Sequence, residues 1–221
     1  TPQNEIPAYM ARRMPEVDGC FLQAESELAA INMVMGAAAG GVRTMTSSSS
    51  PGMALKQEGI SYIAGAELPC VLVNVMRGGP GLGAIAGAQG DYFMATRGGG
   101  NGDYRNIVLA PGNGQEMADF TVEAFDLADE YRMPVLILAD GYQGQMSEAV
   151  ELPEPTNRSF DKPWAVTGAK GRKKNIIASL KLVPDGALEE HNLHLKEKYD
   201  RVTASVRRVE YYHCDDAEWV I

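Results

Sequence analysis

Cysteine is scarce. Cys20, Cys70 and Cys214 are odd in number and far apart, so the chain holds neither a disulfide framework nor the paired CxxC spacing of a zinc or iron–sulfur site. A reducing cytoplasm is the setting this implies. Positive charge is scarce too: 20 Lys and Arg stand against 29 Asp and Glu, a formal charge of −9. Phosphate backbones are gripped by basic faces, so no nucleic acid partner is expected. The one basic run, Lys170 to Lys174 (KGRKK), has the pattern of a solvated segment. No apolar run approaches the roughly 18 residues that span a bilayer, and nothing resembles a signal peptide, so no membrane partner is expected. His191, His194 and His213 match no carboxylate or cysteine pattern; they read as surface or interface residues, and no metal ligand set is expected.

What the chain does have is alternation of strands and helices. The run Pro69 to Met76 (PCVLVNVM) is continuously apolar, the pattern of a strand buried on both faces of a parallel sheet. Ile107 to Leu109 and Val135 to Leu138 read as further strands. Gln115 to Tyr131 between them reads as a helix with Met117, Phe120, Ala124, Phe125 and Leu127 as core. This order predicts an α/β fold, a mostly parallel sheet with helices on both faces. Thr1 and Pro2 read as a helix start whose apolar stripe is Ile6, Tyr9, Met10 and Met14, stopped by Pro15. Cys20 to Leu22 reads as a short strand.

The richest stretch runs from Gln23 to Gly52. Ala29, Ala30, Met33, Val34, Ala37 and Ala38 recur at helical spacing until Gly40-Gly41, and Val42 to Met45 resumes an extended run before a polar loop, Thr46 to Ser50. Pro51 then opens a helix with Met53, Leu55, Ile60 and Ile63 on one face. Glu25 and Glu27 fall in or just before the first turn of the Ala/Met helix. Acids there answer the helix dipole, which accounts for Glu25. Glu27 has a second reading: at the mouth of an apolar helix and facing short serines, it is placed to meet a ligand nitrogen.

Arg77 to Gly90 (RGGPGLGAIAGAQG) follows a buried strand and so reads as a loop at the carboxyl edge of the sheet, where open α/β proteins bind ligands. GGPGLG fits neither the dinucleotide fingerprint nor the P-loop. Arg77 either clamps a ligand carboxylate through two parallel hydrogen bonds or pairs with a nearby acid. NGDYRN, Asn101 to Asn106, lacks the spacing of a metal–diphosphate motif and reads as a turn. Asp140, at a strand end, reads chiefly as structural.

After Glu151 the chain turns Pro-rich and extended, without a core of its own, then becomes a polar helix, Glu189 to Val209, with Leu193, Leu195 and Tyr199 as sparse apolar points. Such a helix packs on a neighbouring domain or subunit. Two units follow from this, an α/β domain over 1–152 and an arm with a helix over 153–221. The start at Thr1 without Met and the end inside DDAEWVI read as cuts in a longer polypeptide.

Several motifs in fixed order, ESELAAINMVMGAAAGG, TSSSSPG, QEGISYIAGAELPC and VNVMRGGPGLG, resemble the α subunit of the 2-oxoacid:ferredoxin oxidoreductases, most of all the branched-chain (2-oxoisovalerate) type. The resemblance runs from Thr1 to about Tyr199. It implies the thiamine pyrimidine-binding domain fold and an active site split between chains. A β subunit would hold the diphosphate and Mg²⁺ of thiamine diphosphate, and a γ subunit and a ferredoxin-like subunit with iron–sulfur clusters would complete a dimer of heteromers. It further implies that Glu27 meets ring nitrogen N1′, that Thr1 and Arg77 hold the carbonyl and carboxylate of the 2-oxoacid, and that Ser47, Ser48 and Ser49 face cofactor or substrate. The implied reaction is oxidative decarboxylation of a 2-oxoacid with coenzyme A to acyl-CoA and carbon dioxide, electrons leaving to ferredoxin. Three alternatives stay open: a 2-oxoglutarate- or pyruvate-specific member, a thiamine-independent α/β enzyme whose Arg77 loop binds an anion, and a non-catalytic interaction subunit.

Overall fold

Strand β2, Cys70–Gly78, is buried along its first seven residues, and its alternation divides the core in two. Cys70, Leu72 and Met76 pack with one cluster, while Val71, Val73 and Val75 pack with the other. That follows from a pleat which sends successive side chains to opposite faces. The computed structural model describes residues 2–156, 158–208, 211–212 and 214–219. Around β2 lie β1 (Met45–Ser48), β5 (Pro134–Asp140) and β4 (Ile107–Leu109), all parallel, in the order β1-β2-β5-β4. A short strand β3, Ala84–Gly87, runs antiparallel to the end of β2. One face is covered by helices α2 (Glu27–Ala39) and α3 (Ser50–Gly65), the other by α5 (Gly114–Tyr131) and α6 (Ala187–Val206). The predicted α/β class and the mostly parallel sheet are what the chain adopts.

Several local expectations are displaced. Helix α1 is Glu5–Arg13, so Pro2 precedes it, and Thr1 lies outside the described residues. The segment before it is tied instead by Ser47, whose hydroxyl donates to Gln3 Oε1 at 2.7 Å. No residue of α1 is fully buried; Tyr9 is exposed and Ile6 touches the core. Pro15 does stop the α-helix, and the chain tightens into a 3₁₀ turn over Met14–Val17, as a residue without an N–H requires. Cys20 to Leu22 forms no strand, because no described residue pairs with it. β1 starts at Met45 and takes in Thr46, Ser47 and Ser48, which sequence placed in a loop. Their register with Leu72, Val73 and Asn74 supplies the ladder that serine's weak β preference does not.

The stretch after Arg77 is a hairpin and not a plain loop. Gly83, at φ +61°, sits where a Cβ would run into the Gly78 carbonyl oxygen, so the turn between β2 and β3 requires glycine there. Met33, Ala37 and Leu55, expected in the core, face outward; the buried faces are Ile31, Val34 and Ala38 on α2, and Met53, Ile60 and Ile63 on α3. Helix α4, Tyr92–Arg97, follows the hairpin and buries Ala95. NGDYRN is irregular, as read from sequence, with Tyr104 buried.

Residues 158–186 contain no helix or strand among those described, yet they strap the domain. Lys162 pairs with buried Asp129 at 2.6 Å, Arg43 reaches Asp126 and Asp129 at 2.7 and 2.8 Å, and the Arg132 guanidinium lies 4.6 Å from the Trp164 ring centre. Helix α6 finds its neighbour in this same chain, burying Leu195, Lys198 and Val202. Lys198 and His194 both contact Glu67, at 2.8 and 2.9 Å, and His191 bonds the Gly65 carbonyl at 2.8 Å. Those two histidines are therefore docking residues; His213 lies outside the described residues.

Burial works to raise the Glu67 pKa, but its hydrogen bond to Lys198 and the nearby charges of Lys198 and His194 outweigh it and hold the carboxyl at about 2. A depressed carboxyl contributes its stability above its ordinary value of 4.5 and loses it as pH falls toward about 2. Acidification across that window is expected to loosen α6, seen as new protease sensitivity within 187–206. Glu67→Gln should show that sensitivity already at neutral pH; an α6 equally protected in both proteins would contradict this.

Candidate functional site

The carboxyl ends of β1 and β2 and the start of α2 converge. Ser26 caps α2, its hydroxyl accepting from the Ala29 amide at 3.2 Å, which fixes where the helix begins. Glu27 is then the first helical residue, half-buried, while Glu25 lies outside the helix and exposed. Across from it, α3 presents Gly52. A Cβ at Gly52 would lie 2.7 Å from Glu27 Oε1 and 3.0 Å from its Cγ, and would also strike Ser48 Oγ. The Glu27 carboxylate thus rests on bare backbone beside Ser48. Neither a hydrogen bond nor an ion pair joins it to another described residue.

The serines divide their work. Ser47 donates to Gln3, Ser48 borders Glu27, and Ser49 occupies the N-cap position of α3 with its buried Oγ unpartnered among the described residues. Ser50 is a hub. Its amide donates to Asn74 Oδ1 at 3.0 Å, and its hydroxyl donates to Asp91 Oδ2 at 2.6 Å while accepting from the Arg77 amide at 3.0 Å. Asn74, buried in β2, also donates to Asp91 at 2.8 Å. This network fixes the backbone of Arg77, the half-buried eighth residue of β2, against the start of α3. Glu27 and Ser48 therefore both lie over Gly52, and Arg77 is joined to the same edge through Ser50. Thr1 lies outside the described residues.

Sequence reasoning missed Lys56, one turn beyond Gly52 on α3. It is 1% exposed, and its ammonium donates to Thr46 Oγ1 at 2.7 Å and to the Ser47 carbonyl at 3.2 Å. Burial pushes its pKa down to about 8, against the Glu27 charge, which raises it. The signal was present: Met53, Lys56, Ile60 and Ile63 share helical spacing, so a charge stood in an apolar stripe. Asn74 and Asp91 were missed because their role depends on partners 17 to 41 residues away.

A cavity of about 690 Å³ opens beside this edge, at the carboxyl ends of β2, β4 and β5, lined by Met76, Tyr92, Pro111, Leu138, Asp140 and Tyr142 among others. Glu27 is not among its lining residues. Asp140 is occupied structurally, accepting from the amides of Tyr142 and Gln143 at 2.9 and 3.0 Å, as its strand-end position suggested. The arrangement offers a half-buried acid free to meet a hydrogen-bond donor, an unpartnered hydroxyl, and an anchored arginine, at the sheet edge that binds ligands in open α/β folds.

The sequence pattern described as "Pyruvate flavodoxin/ferredoxin oxidoreductase, thiamine diP-bdg" matches residues 1–211. The ketoisovalerate oxidoreductase subunit VorB of Methanothermobacter thermautotrophicus is 54% identical over 222 aligned residues, covering all of this chain and 63% of that relative. The 2-oxoglutarate synthase subunit KorA of Methanocaldococcus jannaschii is 46% identical over 152 residues, 69% of this chain and 42% of its own length. Among solved structures, the 2-oxoglutarate:ferredoxin oxidoreductase from Magnetococcus marinus, with 2-oxoglutarate, coenzyme A and succinyl-CoA bound, superposes with a TM-score of 0.79 at 27% identity, over 95% of this chain and 41% of that one. The chain thus spans a little under two thirds of the VorB relative's length. With the family pattern covering nearly every residue, this chain belongs to the pyruvate flavodoxin/ferredoxin oxidoreductase family, in its thiamine diphosphate-binding part.

Proposed function

We propose that this chain is the pyrimidine-receiving part of the α subunit of a heteromeric 2-oxoacid:ferredoxin oxidoreductase of the branched-chain type. The observation that carries the reading is the Glu27 carboxylate, half-buried over Gly52 and without a hydrogen-bonded or ion-paired partner among the described residues. A carboxylate so placed holds a proton on a ring nitrogen, which is what Glu27 does at N1′. The Ser49 hydroxyl, unpartnered among the described residues, fits the same coenzyme, which Ser47 and Ser48 would face. Thiamine diphosphate, when bound, supplies the electron sink for the pair left behind as carbon dioxide departs.

The remaining steps belong to this chain's side chains and to its partners. Arg77 binds the 2-oxoacid carboxylate by a charge-assisted pair of hydrogen bonds, and Thr1 positions the carbonyl. A β subunit grips the diphosphate and Mg²⁺; a γ subunit and a ferredoxin-like subunit with iron–sulfur clusters complete a dimer of heteromers in the cytoplasm. The overall balance is 2-oxoacid, coenzyme A and two oxidised ferredoxins giving acyl-CoA, carbon dioxide, two reduced ferredoxins and a proton. Residues 1–152 form the catalytic α/β domain, and 153–221 form the arm and helix that lead from it.

Branched-chain preference is supported by the higher identity to VorB, 54% against 46% for the KorA of M. jannaschii. It is tested by comparing 2-oxoisovalerate, 2-oxoglutarate and pyruvate in coenzyme A-dependent ferredoxin reduction by the complete complex. A higher kcat/KM for 2-oxoglutarate would move the chain to the KorA type, and no turnover of any 2-oxoacid would overturn the enzyme reading. Arg77→Ala in that complex is expected to raise the KM for 2-oxoacid about 10- to 100-fold, the equivalent of the roughly 1.5–3 kcal/mol that a hydrogen bond to a charged group contributes. An unchanged KM would remove the clamp.

A further inference from the structure

At the edge of the sheet opposite Glu27, the parallel register sets Cys70 beside Pro134, so the turns that precede β2 and β5 emerge next to each other. Among the described residues, two of the three non-glycines with left-handed backbone stand in these turns, Glu67 at φ +53° and Arg132 at φ +50°. Long charged side chains are thus held where glycine would be relaxed. Between these turns, the strap and the start of α6 lies a cavity of about 240 Å³, lined by Glu67, Arg132, Trp164, Asn175, Lys181 and His191 among others. Glu67 is already met by Lys198 and His194. Arg132 has no such acid. Its Nε donates to the Glu67 carbonyl at 3.2 Å and its guanidinium lies 4.6 Å from the Trp164 ring centre. Those two contacts fix the fork, yet its terminal nitrogens reach no acceptor among the described residues. Half-buried Lys181 likewise pairs with no acid among them. Burial pulls the Arg132 pKa down, against the nearby Glu67 charge, as for a cation partly stripped of water.

We propose that this cavity is a binding site for a phosphate group, free or esterified, which Arg132 and Lys181 hold between the strap and the amino edge of the sheet. Two cations with unused donors call for an acceptor of matching charge. A phosphate ester carries about −1.5 to −2 near neutral pH and offers three acceptor oxygens, where a carboxylate carries one charge. The planar guanidinium suits two of those oxygens at once, and a lysine serves as a point charge for the third. The volume agrees, since it lies below the roughly 300–1,000 Å³ of pockets for larger ligands. The basic run Lys170 to Lys174 leads straight into Asn175 of the lining. Arg172 of that run is tied to the Ala165 carbonyl and the Thr167 hydroxyl, while Lys170, Lys173 and Lys174 are exposed and add positive potential that draws anions. A bound phosphate joins the strap to the turns before β2 and β5, and so favours the docked strap.

The test titrates the complete heteromeric complex, saturated with thiamine diphosphate, with inorganic phosphate, glycerol 3-phosphate or succinate by isothermal titration calorimetry at fixed ionic strength. At least one phosphate compound should bind saturably, and Arg132→Met should weaken it about 10- to 100-fold, the range for a lost hydrogen bond to a charged group. Lys181→Met should weaken it about 10-fold, and Arg132→Lys, which keeps the charge without the fork, should restore part of the loss. Tighter binding of inorganic phosphate supports the free ion, and tighter binding of glycerol 3-phosphate supports an esterified group. The bound compound should also slow proteolysis of the strap within 163–181 in the parent and not in Lys181→Met. Arg132 has its own packing on Trp164, so if Arg132→Met does not assemble, Lys181→Met decides alone. Absence of saturable binding, parental affinity in the Lys181 variant, or succinate binding more tightly than both phosphate compounds overturns the proposal.

Discussion

In the complete complex, Glu27→Gln is expected to lower C2 exchange and decarboxylation about 10²- to 10⁴-fold, the range that a positioned proton-transfer group contributes. Glutamine keeps the shape of the side chain, so its packing over Gly52 and beside Ser48 survives, and subunit assembly should match the parent by size-exclusion chromatography. Only the ability to hold a proton on a ring nitrogen is removed. Because the carboxylate has no hydrogen-bonded or ion-paired partner among the described residues, the substitution breaks no internal hydrogen bond. A loss of activity in a complex that assembles like the parent therefore reports on chemistry and not on folding. Parental exchange rates in a well-assembled Glu27→Gln complex would end the assignment of this site.

Gly52→Ala should produce a loss of comparable origin by moving Glu27 instead of neutralising it. The added methyl would sit 2.7 Å from Glu27 Oε1 and also collide with Ser48 Oγ. The obstacles, Ser48 Oγ and Glu27 Oε1 and Cγ, are all side-chain atoms, so the helix stays and the carboxylate moves away. A displacement of about 1 Å at a reacting group costs on the order of 10²-fold in rate, which is the expected fall in C2 exchange. Stability should hold or rise, because alanine is favoured over glycine in a helix by up to about 1 kcal/mol. Gly52 lies in the first turn of α3, away from its C-terminus, so that gain is available. A thermal midpoint equal to or above the parent together with slow exchange is the expected pair of results. Full activity with a bulkier residue 52 would show that Glu27 does not work from its place over the glycine.

Both predictions depend on Glu27, and its place was legible in the sequence: acids in or just before the first turn of an apolar Ala/Met stripe mark a helix start, although Ser26 as its cap emerged only in the structure. Its partner surface was not. Gly52 lies 25 positions away, and nothing local says that two helices on the same face of a sheet bring that glycine under that carboxylate. The same limit explains Lys56. Its spacing placed it on the buried face, but a lysine reads as solvated until Thr46, Ser47 and Glu27 are seen around it. The Arg77 stretch shows the opposite error. Its glycines suggested a loose loop, whereas pairing of Arg77 with Gly87, and of Gly78 with Ala84, makes a hairpin.

By itself, the sequence determined the α/β class, the helix holding Glu27, the doubly buried strand from Cys70 onward and the family motifs, since these are written in local periodicity and local order. Tertiary structure alone decided that Ser47 and Ser48 join a strand, that Asn74 and Asp91 anchor Arg77 through Ser50, and that Lys56 is buried on Thr46 and Ser47 one turn from the glycine under Glu27. Those outcomes depend on the free energy of pairing and burial between residues distant in the chain, which periodicity does not encode.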